Sequence, residues 1–179
     1  MSETIGYNQV CGMLNAAAGQ IRRNHEMLSK LDSAVGDGDH GTTILRAMET
    51  GGKTVSEGPA SDLKTLFSAI AWATMSCDGG STGPLLGSFF MGMSEGAAGR
   101  GELDCAGLAS MFEAGVAKLQ KQSRAQVGDK TMMDAFLPAL AALKAADCAR
   151  GVKDALQQAA EAAAKGAEAT RNMKAKFGR

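Results

Sequence analysis

The sequence is poor in several things at once. It holds three prolines, one tryptophan and one tyrosine among 179 residues, and its aromatic content is 4%. Aromatics this sparse do not supply the stacking platforms on which single-strand binders hold successive bases. An excess of one charge sign is also missing. Nineteen Lys+Arg balance nineteen Asp+Glu, and a pI near 6.7 gives none of the electrostatic footprint that nucleic-acid backbones or anionic membranes select. No apolar run approaches the roughly eighteen residues of a membrane span, and the opening MSETIGYNQV lacks the basic-then-apolar order of a signal peptide. These absences predict a cytoplasmic protein with neither a nucleic-acid nor a membrane partner. A CxxC pair is absent as well. Cys11, Cys77, Cys105 and Cys148 are widely spread, and a chain long enough to bury a core does not need staples, so all four are expected to be reduced.

Two further absences concern the fold. No stretch alternates strictly with β-branched residues, so no sheet is expected, and no repeat of fixed period suggests a solenoid. The length fits one domain, residues 1–179. Helical periodicity is what the chain has instead. Tyr7 to Leu31 carries Val10, Met13, Leu14, Ala17, Ile21, Met27 and Leu28 at intervals of three, four and multiples of them, the stripe of an amphipathic helix. A second helix is expected after Gly41, capped by Thr42 or Thr43 and stopped at Gly51 and Gly52. Ser61 and Asp62 offer a cap for a third, and Pro84 at a first helical position begins a fourth running to about Ala98. Asp104 caps a fifth, Cys105 to about Lys121, and Asp129 caps a sixth carrying Met132, Met133, Phe136, Leu137 and Leu140. The alanine-rich stretch Ala149 to Phe177 keeps a helical stripe of its own. The predicted fold class is all-α, an antiparallel bundle or closed ring of about seven helices with short loops.

The most informative segment is LDSAVGDGDHGTT, Leu31 to Thr43. Asp32, Asp37 and Asp39 fall within eight residues between two helices, interleaved with Gly36, Gly38 and Gly41. Glycine lets the backbone turn sharply, so that carboxylates two apart can converge on one point. Three converging carboxylates repel one another unless a cation that favours oxygen ligands joins them. The calcium loop of EF-hands needs Gly at its sixth position and Glu at its twelfth. Counting from Asp37 gives Thr42 and Met48, and from Asp32 gives Asp37 and Thr43, so neither register fits. Mg²⁺ is usually held by a few carboxylates together with phosphate oxygens, which points to a metal-nucleotide or metal-phosphate ligand. A solvated, capping-rich turn is the plainer alternative. His40, Thr42 and Thr43 stand at the expected start of the second helix, where backbone N–H groups and the helix dipole favour an anion.

Two more loop-to-helix junctions resemble the first in chemistry. The turn Gly79 to Gly83, GGSTG, offers the hydroxyls of Ser81 and Thr82, although close helix packing would explain its glycines equally well. The segment GDKTMMD, Gly128 to Asp134, adds a cation and Met132, whose thioether can pack on a purine face but is as readily core. There is no GxxxxGK[ST] and no GxGxxG. No GxSxG elbow or Cys–His couple supports covalent catalysis either.

Taken together and in order, LDSAVGDGDHGTT, GGSTGPLLGSFF and VGDKTMMDAFLPAL resemble the nucleotide-binding L domain of the dihydroxyacetone kinase family over nearly the whole chain. The resemblance implies an eight-helix antiparallel barrel holding ADP or ATP at one end through two Mg²⁺ ions. By position it implies metal ligands at Asp32, Asp37 and Asp39. Nucleotide contacts are implied at His40, Gly41, Thr42, Thr43, Ser81, Thr82, Ser123, Met132 and Arg179. Family members continue beyond the position of Arg179 into an eighth helix that this sequence does not include. Phosphoryl transfer is the implied reaction, with the keto-sugar on a separate K subunit and either ATP used directly or bound ADP recharged by a phosphotransferase-system protein. A kinase for another triose or tetrose, and a non-catalytic Mg-nucleotide-binding adaptor, are the competing readings.

Overall fold

A computed structural model of the chain describes residues 3–57, 62–77 and 80–177. The described residues form seven α-helices, α1 (Tyr7–Asp32), α2 (His40–Glu57), α3 (Leu63–Met75), α4 (Thr82–Gly96), α5 (Cys105–Ser123), α6 (Met133–Ala145) and α7 (Val152–Ala169). Two of the expected caps are in place. The Asp62 carboxylate accepts from the Thr65 amide at 2.9 Å and again from its hydroxyl, and Asp104 accepts from the Gly107 amide at 2.7 Å. Each satisfies an amide that the first helical turn leaves unpaired.

Every helix packs on the next one in the chain, from α1 on α2 to α6 on α7. The contacts run antiparallel. Gly41 at the start of α2 lies against the His25 carbonyl late in α1, Gly166 late in α7 lies against Asp134 early in α6, and the Ser94 hydroxyl near the end of α4 donates to the Lys64 carbonyl at the start of α3. This up-and-down course gathers the α1–α2, α3–α4 and α5–α6 loops at one end. The core between the helices is built from Leu63, Phe67, Met111, Leu119, Met133 and Val152, all nearly inaccessible. Phe89 anchors an aromatic cluster, with its ring centroid 5.2 Å from that of Phe112 and 4.8 Å from that of Phe136. Such pairs add about 0.5–1.5 kcal/mol each beyond their burial. A cavity of about 390 Å³ lies between Val10, Leu14 and Ala17 of α1 and Leu156, Ala159 and Ala163 of α7. None of the described residues expected from the sequence to hold metal or nucleotide lines it.

Several local expectations are corrected. α2 does not stop at Gly51 and Gly52 but runs through them to Glu57. A Cβ on Gly51 would press on Ile70 of α3, so that glycine serves helix packing and not termination. α4 begins at Thr82, which puts Pro84 at the third helical position, still inside the first turn where no N–H is needed. α7 ends at Ala169, and a 3₁₀ turn, Thr170–Asn172, replaces the expected helix toward Phe177. Two short strands also occur, β1 (Ile5–Gly6) and β2 (Glu102–Leu103), paired antiparallel with Ile5 opposite Leu103. Two residues are too few to show the alternation by which strands are read. Cys105 and Cys148 form a disulfide with their Cα atoms 5.5 Å apart, which overturns the expectation of four reduced cysteines. The start of α5 and the turn before α7 meet at the same end of the bundle, an adjacency that spacing along the chain does not reveal. Cys11 and Cys77 are free thiols. No helix among the described residues is long and apolar enough to cross a membrane.

Candidate functional site

The acidic loop between α1 and α2 is shaped by its own glycines. The Asp32 carboxylate accepts from the Gly38 amide at 2.9 Å, and the Asp32 carbonyl accepts from the Gly36 amide at 2.6 Å. Gly38 has φ +78, and a side chain there would run into the Ser33 hydroxyl; a Cβ on Gly36 would collide with the Asp32 carboxylate. Glycine is therefore required at both positions. The result is a cluster in which Asp32, Asp37 and Asp39 each offer a carboxylate oxygen, all lying within 4.8 Å of one another. Asp32 is half-buried, and Asp37 and Asp39 are exposed. Three hard oxygen donors of like charge at this separation suit a divalent cation such as Mg²⁺, whose charge removes their mutual repulsion.

α2 starts directly behind this cluster. Thr42 and Thr43 do not cap it, as expected from sequence, but lie inside its first turn. The Asp39 carbonyl accepts from the Thr42 hydroxyl at 2.7 Å and from the Thr43 amide at 2.9 Å, so the third carboxylate and the helix start form one unit. His40 opens the helix and is half-buried, Gly41 and Thr43 are buried, and Thr42 is exposed. A Cβ on Gly41 would overlap the His25 carbonyl, so glycine lets α2 start hard against α1. Ser29, next to this contact, has a buried hydroxyl oxygen with no hydrogen-bond partner among the described residues.

The second junction is only partly described. Asp78, Gly79 and, at the far terminus, Arg179 lie outside the described residues, as does Ser61 of the α3 cap. Ser81 is exposed at the residue before α4, makes no side-chain capping bond, and is followed by half-buried Thr82. Gly83 sits close to the carbonyls of Thr74 and Cys77, where α3 ends.

The third junction holds most of what sequence reasoning missed. Asp129 does not cap α6; Met132 occupies the cap position. The Asp129 carboxylate turns inward, accepts from the Gln126 amide at 2.8 Å and pairs with Lys176 at 3.0 Å. The Gln126 bond first, then Lys176, hold its carboxyl below the usual range. Buried Asp134 accepts from the amides of Gly128 at 2.5 Å and Thr131 at 2.7 Å. One carboxylate thus fixes both sides of the loop. The only sequence signal for it was an acidic residue in the first turn of a helix directly after two apolar ones. Ser123 ends α5, and its hydroxyl accepts from the Ala125 amide at 3.2 Å. Met132 is half-buried and packs on the core.

The structure thus brings the three aspartates together with the start of α2, and the course of the helices sets the second and third junctions at the same end. The DAK2 domain profile matches residues 34–179 of this chain. The chain belongs to the DAK2 domain family. Among DAK2 relatives, the PEP-dependent dihydroxyacetone kinase 1, ADP-binding subunit DhaL, of Listeria innocua is 34% identical over 145 residues, covering 81% of this chain and 73% of that protein. The corresponding Escherichia coli subunit is 29% identical over 98% of this chain and 84% of its own length. The crystal structure of the dihydroxyacetone kinase from C. freundii in complex with AMP-PNP and Mg²⁺ superposes with a TM-score of 0.80 at 28% identity. That match covers 97% of this chain and 31% of that one, so this DAK2 chain corresponds to about a third of the larger kinase.

Proposed function

We propose that this chain is the ADP/ATP-binding subunit of a dihydroxyacetone (glycerone) kinase, transferring phosphoryl from Mg-bound nucleotide to a short keto-sugar held on a partner K subunit. The observation that carries the reading is the convergence of Asp32, Asp37 and Asp39 directly in front of the first turn of α2. These three carboxylates would hold Mg²⁺, two ions by the family resemblance. When bound, Mg²⁺ supplies neutralisation of phosphate charge, the main requirement of phosphoryl transfer.

The protein's own part is to bind and orient. His40, Gly41, Thr42 and Thr43 offer helix-start amides and hydroxyls to phosphate oxygens, where the positive end of the helix dipole favours negative charge. Ser81 and Thr82 add hydroxyls from the second junction, Met132 from the third lies beside the base, Ser123 is a further nucleotide contact, and by the family resemblance Arg179 matches an arginine near the phosphates. No nucleophile from the protein is needed, since the attacking hydroxyl belongs to the sugar. A phosphotransferase-system protein that recharges bound ADP is the donor favoured by the names of the PEP-dependent and PTS-dependent relatives.

Calorimetric titration of ADP into the purified chain, first with Mg²⁺ and then with EDTA, tests the reading. Mg²⁺-dependent binding supports it. Supply of the K subunit and a phosphoryl donor should then yield a phosphorylated keto-sugar, and absence of turnover despite tight binding would favour a nucleotide-binding adaptor.

A further inference from the structure

The loop between α5 and α6 is the most constrained segment at the site end of the molecule. Both non-glycine residues with positive φ among the described residues belong to it, Arg124 at 53° and Lys130 at 58°, and Gly128 lies at 96°. A side chain in the left-handed region is strained and persists only where the surroundings over-determine it. Asp134 supplies part of that determination from within, through the amides of Gly128 and Thr131. The remainder comes from the segment after α7. The Lys176 ammonium pairs with Asp129, the Lys176 amide donates to the Asp129 carbonyl at 3.2 Å, and the Lys130 ammonium donates to the Met173 carbonyl at 3.1 Å. Three polar links therefore fasten the chain behind α7 across the loop. They engage its two residues just ahead of Thr131 and Met132, and one of them, Lys130, is itself in the left-handed conformation.

The Asp129 side chain is 7% exposed while that of Lys176 is 66% exposed. The buried partner needs its cation, because a carboxylate taken out of water is stable only when paired and hydrogen-bonded. The exposed partner contributes nothing to the core. Its conspicuous effect is to hold the loop.

We propose that Lys176 is a positioning residue for the nucleotide: acting through Asp129, the segment after α7 straps the α5–α6 loop and sets Met132 for the base. The inference rests on the nucleotide-binding reading above. It assigns the Lys176 link to the base side of the ligand, the phosphate side being served by the α1–α2 loop and Arg179.

The test compares Mg²⁺-dependent binding of ADP and of tripolyphosphate, which has no base, to the full chain and its Lys176→Ala and Lys176→Arg variants. Amide hydrogen exchange is followed on the same apo-proteins. The expected result is a five- to twentyfold weaker ADP affinity in Lys176→Ala, unchanged tripolyphosphate affinity, substantial recovery in Lys176→Arg, and faster exchange confined to residues 124–132. Equal ADP affinity in Lys176→Ala and the parent chain overturns the strap and leaves the nucleotide site standing. Equal losses for both ligands, or exchange that rises throughout the protein, overturn it in favour of a merely structural ion pair. A parent chain that binds tripolyphosphate but not ADP, or neither, overturns the nucleotide reading and the strap with it.

Discussion

Gly166 of α7 lies so close to the carbonyl of Asp134 in α6 that a Cβ would overlap that oxygen and press on the Pro138 ring. Asp134 in turn holds the α5–α6 loop, so a packing detail between two helices bears on the site. Gly166→Ala is expected to force α6 and α7 apart and to destabilise the protein by about 1–3 kcal/mol, the usual cost of overpacking. Thermal unfolding checks this. A variant as stable as the parent would mean that the two helices separate freely there.

Asp37→Asn and Asp39→Asn address the carboxylate cluster. Both side chains are exposed, so their loss should leave thermal stability within about 0.5 kcal/mol. Mg²⁺-dependent ADP binding should fall at least tenfold, about 1.4 kcal/mol. Affinity unchanged in both variants would remove the metal site.

Two carboxylates tie stability to acid. Asp62 is held below its ordinary pKa by the Thr65 amide and hydroxyl, and Asp129 by the Gln126 amide and then Lys176. A group whose pKa is depressed on folding stabilises the protein above its unfolded value, near 3.9 for Asp, and that contribution fades as pH falls through the lower folded value. Melting temperature should therefore drop below about pH 4, and Asp129→Asn should drop less steeply over the same acid range. Parallel curves for parent and variant would show that Asp129 carries none of the linkage.

The disulfide lies at the end away from the acidic loop. It closes a span of 43 residues, for which loop-closure entropy gives a stabilisation of about 4 kcal/mol. Reduction, or Cys148→Ser, should lower the denaturation midpoint accordingly while leaving ADP affinity within twofold. A large loss of affinity would show that this end communicates with the site.

Arg124 caps the end of α5 in the left-handed conformation, its amide donating to the Gln120 carbonyl. Glycine takes that role without steric cost. Arg124→Gly is expected to raise stability by up to about 1 kcal/mol, the strain relieved less the entropy given to the unfolded chain. Chemical denaturation with an unchanged slope measures it, and a destabilised variant would mean that the Arg124 side chain carries a compensating contact.

Much of this is legible in the sequence. The helical stripes located seven helices because the periodicity of an amphipathic helix is a local property, and Asp62 and Asp104 cap where local rules say they should. The convergence of Asp32, Asp37 and Asp39 followed from alternation with glycine over a few residues. Where the reading failed, the cause was non-local. Gly51 looked like a stop because its neighbour Ile70 belongs to another helix. Cys105 and Cys148 looked free because nothing in their spacing shows which helix ends meet. Asp129 looked like a cap because its partner, Lys176, comes from the far side of α6 and α7.

The up-and-down course also has a kinetic consequence. Nearly all helix packing joins chain neighbours, so little loop-closure entropy is lost before contacts form, and topologies of this kind fold fast. Two pairings that join distant stretches of chain lie at the ends of the bundle, Ile5 with Leu103 at one and Lys176 with Asp129 at the other. These should form after the helices have met, and substitutions at Leu103 or Lys176 should speed unfolding while hardly slowing folding, which stopped-flow rates would show. The two ends of the molecule are therefore its last parts to assemble, and one of them is the end at which the nucleotide would bind.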